Sequence, residues 1–228
     1  MKLSSAKYDF QYHEKRRLFQ KEFKQVSEIE FFHSLPEGFR HRAEFSIKGN
    51  FGSKQYMMTI DGKREQIDSF PIASTKIQEL MHQLLGQINA CKTLSEKLFQ
   101  VEFQTSRNQD SMISLIYHRK LDESWENAAR NLNKKLQATI IGRSRKQKLS
   151  YGNDYVIETY KSFKSKYSLR LYEQCFSQTN PEICEKMLSW VEKNLIFSDD
   201  DVVELHCGLG TFTMLLSKKF RKRSITLY

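Results

Sequence analysis

The order of elements between residues 63 and 144 constrains this chain more than any other feature of its sequence. "REQIDS" has the length of a strand and leads into a helical stripe of Ile77, Leu80, Met81, Leu84, Leu85 and Ile88. Thr75 and Gln78 stand where a capping box opens that helix. "LFQVEFQT" and "SMISLIYH" then alternate as two strands across the turn "SRNQD". A second helix begins near Asp122 and buries Trp125, Ala128, Leu132 and Leu136, and "ATIIGRS" closes the series as a strand. Strand, helix, two strands, helix and strand form the β-α-β-β-α-β succession of ferredoxin-like folds. Such a core hosts many functions, so the activity must be argued from its sites.

Upstream, "HRAEFSI" reads as a strand, and "YMMTI" and "REQIDS" flank "DGK", whose Asp-Gly pair suits the positive φ angles of a tight hairpin turn. Tyr8, Tyr12, Phe19, Phe23 and Val26 recur at helical spacing, which predicts an amphipathic N-terminal helix with an ordinary packing role. Downstream, Asn180 caps and Pro181 opens a helix whose inner face is Ile183, Met187, Trp190, Val191 and Leu195. "FSDDD" turns the chain into a short buried strand, "VVEL". The pattern changes near residue 177, so an α+β domain is expected over 1–176 and a second unit over 177–228.

Charge points to a class of partner. The 228 residues carry 37 Lys and Arg against 27 Asp and Glu, a formal net charge of +10. A cation set on a phosphate releases a condensed counterion, so a protein this basic suits a polyanion. Between residues 141 and 170, Arg143, Arg145, Lys146, Lys148, Lys161, Lys164, Lys166 and Arg170 face only Asp154 and Glu158, with Tyr151, Tyr155, Tyr160, Phe163 and Tyr167 interleaved. Cations for phosphates and aromatic faces for unstacked bases are what looped or single-stranded RNA requires. A solvated edge ribbon with its aromatics packed inward would show the same pattern.

No apolar run approaches the ~20 residues a bilayer requires, and the charged start "MKLSSAKYDFQYHEKRR" is unlike a secretion signal, so a cytoplasmic location is expected. Cys91, Cys175, Cys184 and Cys207 form no C-x-x-C pair and have no histidine at ligand spacing, so no metal site is expected.

"VVELHCGLGTF" is a strand, a turn with Gly208 and Gly210, and a helix with Phe212, Leu215 and Leu216 on one face. Thr213 stands where the dinucleotide fingerprint needs a third small residue. A strand ending in an acidic residue before G-x-G suits S-adenosylmethionine better. The stretch therefore reads as the opening strand, turn and helix of a Rossmann-like methyltransferase domain.

Together with "RAEFSI", "DSFPIAS", "KLFQ", "YHRKLD", "IIGR" and "FSQTN", that stretch resembles the tRNA (uracil-5-)-methyltransferase family from about Phe39 to about Lys222. The resemblance implies transfer of a methyl group from S-adenosylmethionine to C5 of the T-loop uridine of tRNA, with the T-arm resting largely on the N-terminal domain. It implies cofactor contacts at Gln178, His206, Gly208, Gly210 and Thr211, although the family commonly has Tyr at the position of His206 and Asn at that of Thr211. It implies RNA contacts at Phe99, and with the basic ribbon it nominates Arg42, Arg143, Arg145 and Lys146.

C5 of uracil is a poor nucleophile, so the reaction needs a thiolate to add at C6 and a base to remove the C5 proton. In the family both lie on the C-terminal half of the methyltransferase domain, and the chain ends in "RSITLY". The resemblance thus implies a truncated cofactor site, no catalytic residue among the 228, and an inactive monomer whose exposed apolar C-terminus invites self-association. A residual RNA-binding module and a small-molecule or subunit-association domain are the alternatives. RNA titration separates them.

Overall fold

The computed structural model describes residues 5–196 and 198–226. Helix α1 (Ser5–Glu22) precedes strands β1 (Arg42–Lys48), β2 (Gln55–Ile60) and β3 (Lys63–Gln66). Helix α2 (Thr75–Ala90) and the single turn α3 (Lys92–Ser95) lead to β4 (Leu98–Thr105) and β5 (Ser111–Tyr117). Helix α4 (Glu123–Leu136) is followed by β6 (Thr139–Ser144), β7 (Gln147–Tyr151), β8 (Tyr155–Lys161) and β9 (Lys166–Tyr172). Helix α5 (Pro181–Asn194), β10 (Ser198–Leu205), the short α6 (Thr213–Leu216) and β11 (Phe220–Thr226) complete the order. No described helix is long and apolar enough to cross a membrane.

Seven strands form one mixed sheet in the order β3-β2-β1-β4-β5-β6-β7. All pairs are antiparallel except β5–β6, which α4 connects in parallel. The element succession stands, but the strand order departs from the ferredoxin-like expectation. In a split βαβ a strand separates the parallel pair, whereas here β5 and β6 are hydrogen-bonded neighbours. The strand expected between them, β3, instead pairs with β2 at the edge of the sheet, and β1 flanks β4. Composition explains this, because the "KREQ" of β3 is exposed throughout while β1 buries Ala43, Phe45 and Ile47. A strand exposed throughout suits the edge that β3 occupies.

Helices α2 and α4 cover one face of the sheet, where Ile77, Leu84, Ile88, Trp125 and Leu132 meet Phe45, Val101, Phe103, Leu115 and Ile140. The opposite face of β5 and β6 receives the β8–β9 hairpin through Met112, Ile141, Val156 and Leu171. Burial on both faces accounts for the near-continuous apolar run of "SMISLIY". A second cluster joins Tyr160 and Tyr167 of the hairpin to Cys184 and Leu188 of α5 and Leu215 of α6.

Local signals resolve at the residue level. Asp61 (φ 49°) and Gly62 (φ 76°) form the two-residue turn between Ile60 and Lys63, both in the left-handed region that Asp-Gly favours. The α2 cap lies one residue earlier than the Thr75–Gln78 box: Ser74 Oγ accepts from the Ile77 amide at 3.3 Å, and the Gln78 side chain donates to the Ala73 carbonyl instead. Asp122 and Asn180 cap α4 and α5 as their positions predict. On α5 the inner face is rotated, with Cys184, Leu188 and Glu192 buried and Trp190 exposed.

Helix α1 rests on the extended segment after it rather than on the core. Tyr8 donates to the Ser34 carbonyl at 2.7 Å and Tyr12 stacks on His33, while Phe19 remains exposed and Phe23 and Val26 lie beyond the helix end. The turn expected over "FSDDD" also changes: Phe197 lies outside the described residues, and Ser198 already begins β10. Val203 and Leu205 are exposed, so "VVEL" is not a buried strand. A second parallel strand, β11, pairs Val202 with Arg223 through Leu205 with Thr226. "RSITLY" thus enters a strand as far as Thr226, and Leu227 and Tyr228 lie outside the described residues.

Candidate nucleic-acid interface and cofactor turn

The β4–β5 ladder slips at its end. Leu98 faces Tyr117 and Gln100 faces Ile116, so Phe99 is the extra residue of a bulge. A bulge re-aims one side chain out of the alternation. Phe99 accordingly stacks on His118, ring centroids 3.8 Å apart and planes 11° from parallel. The pair lines an open groove of about 680 Å³ with Arg119, Lys120, Arg143 and Arg145.

The cations in this groove differ in freedom. The Arg119 guanidinium donates to the Glu96, Thr93 and Lys120 carbonyls, which fixes it as a scaffold. Arg143 makes a paired ion contact to the Glu173 carboxylate, whose side chain is 2% exposed and also receives Ser114 Oγ. That bond and the adjacent charge hold the Arg143 guanidinium above its ordinary value. For Glu173, burial pushes the carboxyl up, but the Arg143 hydrogen bond and charge, with Lys148, outweigh it and leave it below the ordinary value. Lys120, Arg145 and Lys146 are exposed, the last two in the β6–β7 turn where Lys146 has a φ of 59°.

Of the residues nominated for RNA, Phe99 and Arg145 therefore line the groove, Lys146 adjoins it, and Arg143 lines it with its charge already matched. Arg42 lies elsewhere, donating to the Cys175 carbonyl at 2.6 Å and standing 3.7 Å from Glu102. Its bonds tie the sheet to the segment before α5. His118 and Lys120 were not nominated, although "YHRKLD" places both directly after a buried strand.

The cofactor nominees occupy two places. Gln178 lines a narrow cleft with His41, Gln104, Glu158, Tyr160 and Pro181. His206, Gly208 and Gly210 all have positive φ, at 57°, 57° and 80°, and the Gly210 amide closes the turn on the Cys207 carbonyl at 2.9 Å. A Cβ on Gly208 would meet nothing within 4 Å, so the outer side of this turn is open to approach. Glu204 at the end of β10 accepts from Thr213 Oγ1. The two places are linked through hairpin aromatics: Tyr160 lines the Gln178 cleft, its ring lies 6.2 Å from that of Tyr167, and Tyr167 donates to the Thr211 carbonyl at 2.6 Å.

Cys184 and Cys207 are buried. Burial, with Glu185 nearby, pushes the Cys184 thiol up to about 12, far from a nucleophile's range. Among the described residues no group of three or more His, Cys, Asp or Glu side chains could hold a metal ion.

This α+β fold with its mixed seven-stranded sheet has a solved counterpart. The fold is similar to that of Pyrococcus abyssi tRNA (uracil-54, C5)-methyltransferase in complex with S-adenosyl-L-homocysteine, at a TM-score of 0.70 and 18% identity, over 92% of this chain and 54% of that one. The pattern of the tRNA (uracil-5-)-methyltransferase family matches residues 7–226, and the chain belongs to that family. A tRNA/tmRNA (uracil-C(5))-methyltransferase of Cellvibrio japonicus is 40% identical over 221 residues, covering 95% of this chain and 60% of that protein. The one from Ectopseudomonas mendocina is 43% identical over 198 residues, 86% of this chain and 55% of that protein. The chain thus spans little more than half the length of these relatives.

Proposed function

We propose that these 228 residues are the RNA-docking and cofactor-entry part of a tRNA uridine C5-methyltransferase, the reaction in which S-adenosylmethionine supplies a methyl group to C5 of the T-loop uridine. The observation that carries this reading is the family match from residue 7 to residue 226, across both the Phe99 groove and the glycine turn. In this reading the Phe99–His118 stack offers a π-face to a T-loop base, and Lys120, Arg145 and Lys146 neutralise flanking phosphates. The backbone of residues 206–211 and the Gln178 side chain bind the cofactor. Arg143 orders the groove through Glu173 rather than touching phosphate.

The same residues argue against turnover by these 228 residues alone. Addition at C6 needs a thiolate, and the Cys184 thiol is buried with its proton held tightly. Cys207 is buried within the glycine turn, and the half-buried Cys91 and Cys175 stand after α2 and before α5 rather than in that turn. We therefore propose that the chain binds RNA without methylating it.

Anisotropy titration with a fluorescent T-arm hairpin is the test. Salt-sensitive binding that weakens about 5- to 150-fold in Phe99→Ala, the range for loss of one stacked base, is the expected result. Absence of binding at low salt, or methyl incorporation into tRNA by the purified chain, would overturn the respective half of the proposal.

A further inference from the structure

The tip of the β8–β9 hairpin lies outside both sites and is built unlike an ordinary loop. Lys161 faces Lys166 across the end of the ladder, and Ser162–Ser165 form the connection, closed by the Ser162 amide on the Ser165 carbonyl at 2.8 Å. A buried carboxylate organises it. Glu192 of α5 accepts from Ser162 Oγ, Ser165 Oγ and the Lys164 amide, each at 2.8 Å. Burial acts to raise the Glu192 carboxyl, and these three bonds, with the charge of Lys219, outweigh it and hold it below its ordinary value. One α5 face carries a second such anchor seven residues earlier, where Glu185 accepts from the Lys161 amide at 2.7 Å.

What this scaffold displays is an aromatic ring among cations. Phe163 is 59% exposed, with the Lys164 and Lys193 ammonium groups 5.6 and 5.3 Å from its ring centre. Like charges placed opposite one another, as Lys161 and Lys166 are, destabilise a hairpin unless an anion relieves them. The carboxylates of Glu185 and Glu192 are turned onto the hairpin backbone and serine hydroxyls, while Lys161, Lys164, Lys166 and Lys193 outnumber them around the tip, so its outer surface is net positive.

We propose that this tip is a second RNA contact, at which Phe163 stacks on an unpaired base and Lys161, Lys164, Lys166 and Lys193 engage the phosphates beside it. A planar base suits the exposed ring, and the flexible lysine stems let an incoming base move an ammonium group aside to the adjacent phosphate. The occupant is a single-stranded segment, because a paired base offers no free face. Two residues past the tip, Tyr167 donates to the Thr211 carbonyl of the glycine turn. One hairpin therefore carries the base contact and braces the cofactor turn. The choice of RNA as occupant rests on the proposed function, whereas the site itself is drawn from the hairpin.

The test is anisotropy of the full chain with three fluorescent probes: an unstructured RNA dodecamer, the same sequence as a duplex, and a T-arm hairpin. Phe163→Ala should weaken the dodecamer about 5- to 150-fold, the effect of losing one base stack, and the duplex far less. Phe163→Trp should keep binding, and its added emission should be quenched by the dodecamer. Lys164→Ala with Lys193→Ala should lower the salt slope by about 1.4, two single-strand phosphate contacts. Unchanged dodecamer affinity in Phe163→Ala, or equal losses on dodecamer and duplex, would overturn the site. If the T-arm hairpin then still depends on Phe99, the groove reading stands alone, whereas no RNA binding by the unaltered protein sinks both.

Discussion

Replacing Arg143 with alanine should unfold the protein more readily before it alters RNA binding specifically. The Glu173 side chain is 2% exposed and takes both of its strong bonds from the Arg143 guanidinium. Removing one member of a buried ion pair costs about 3–5 kcal/mol, because the other charge is left uncompensated. Here Lys148 remains 3.5 Å from the carboxylate and Ser114 Oγ 3.2 Å from it, so the lower end applies, about 3 kcal/mol. For a chain of this length that is a fall in Tm of about 6–12 °C. Arg145→Ala, at an exposed turn position, should leave Tm within about 2 °C and weaken T-arm binding. Acid adds a second readout. Glu173 is depressed when folded, so its stabilisation is present above the ordinary value of 4.5 and is lost as pH falls below it. In Arg143→Ala only Lys148 and Ser114 still oppose the burial that raises this carboxyl, so it sits higher than in the unaltered protein and the variant's deficit should shrink on acidification through the same range. Replacing both members of the pair with apolar side chains of similar length, Arg143→Met with Glu173→Leu, should recover most of the loss. Thermal melts at pH 7 and pH 4 are sufficient. An unchanged Tm in Arg143→Ala together with a severalfold loss of RNA affinity would refute the structural role.

Two further predictions probe the core and the thiols. A Cβ at Gly142 would overlap the Trp125 ring and approach Leu121 Cδ1 at 2.7 Å, so Gly142→Ala should cost about 1–3 kcal/mol by urea denaturation, and Trp125→Phe in the same chain should recover part of it. Maleimide labelling of the native protein at pH 7.5 should spare Cys184, whose thiol stays protonated, and reach the half-buried Cys91 and Cys175; prompt modification of Cys184 would contradict its burial.

The parts of the fold that rest on neighbours in sequence were legible in the sequence. Asp61 and Gly62 announce their turn, Asp122 and Asn180 announce their helices, and "VVELHCGLGTF" shows its strand and turn. What escaped depends on partners far along the chain. The α2 cap went to Ser74, whose hydroxyl also lies 3.1 Å from that of Thr105, a strand residue 31 positions on. The polar β3 went to the edge of the sheet instead of between β5 and β6, because sheet position follows apolar content over the whole sheet, a comparison no single window contains. Phe99 was visible as a motif residue, but the bulge that turns it onto His118 is a property of the β4–β5 register.

Charge shows the same division most sharply. Counted between residues 141 and 170, the cations face only Asp154 and Glu158, and all of them look free. The carboxylates that decide the matter enter from outside that window: Glu173 takes Arg143 and Lys148, whereas Glu185 and Glu192 take the Lys161 and Lys164 backbone amides and leave those two ammonium groups exposed. Each leaves a neighbour facing solvent: Arg145 and Lys146 beside the first, Lys161 beside the second, Lys164 and Phe163 beside the last. Net charge suggests that a polyanion binds, while the buried carboxylates determine which cations remain to meet it. The proposed RNA-facing surface is therefore best defined by subtraction, as the basic residues that no internal acid has already claimed.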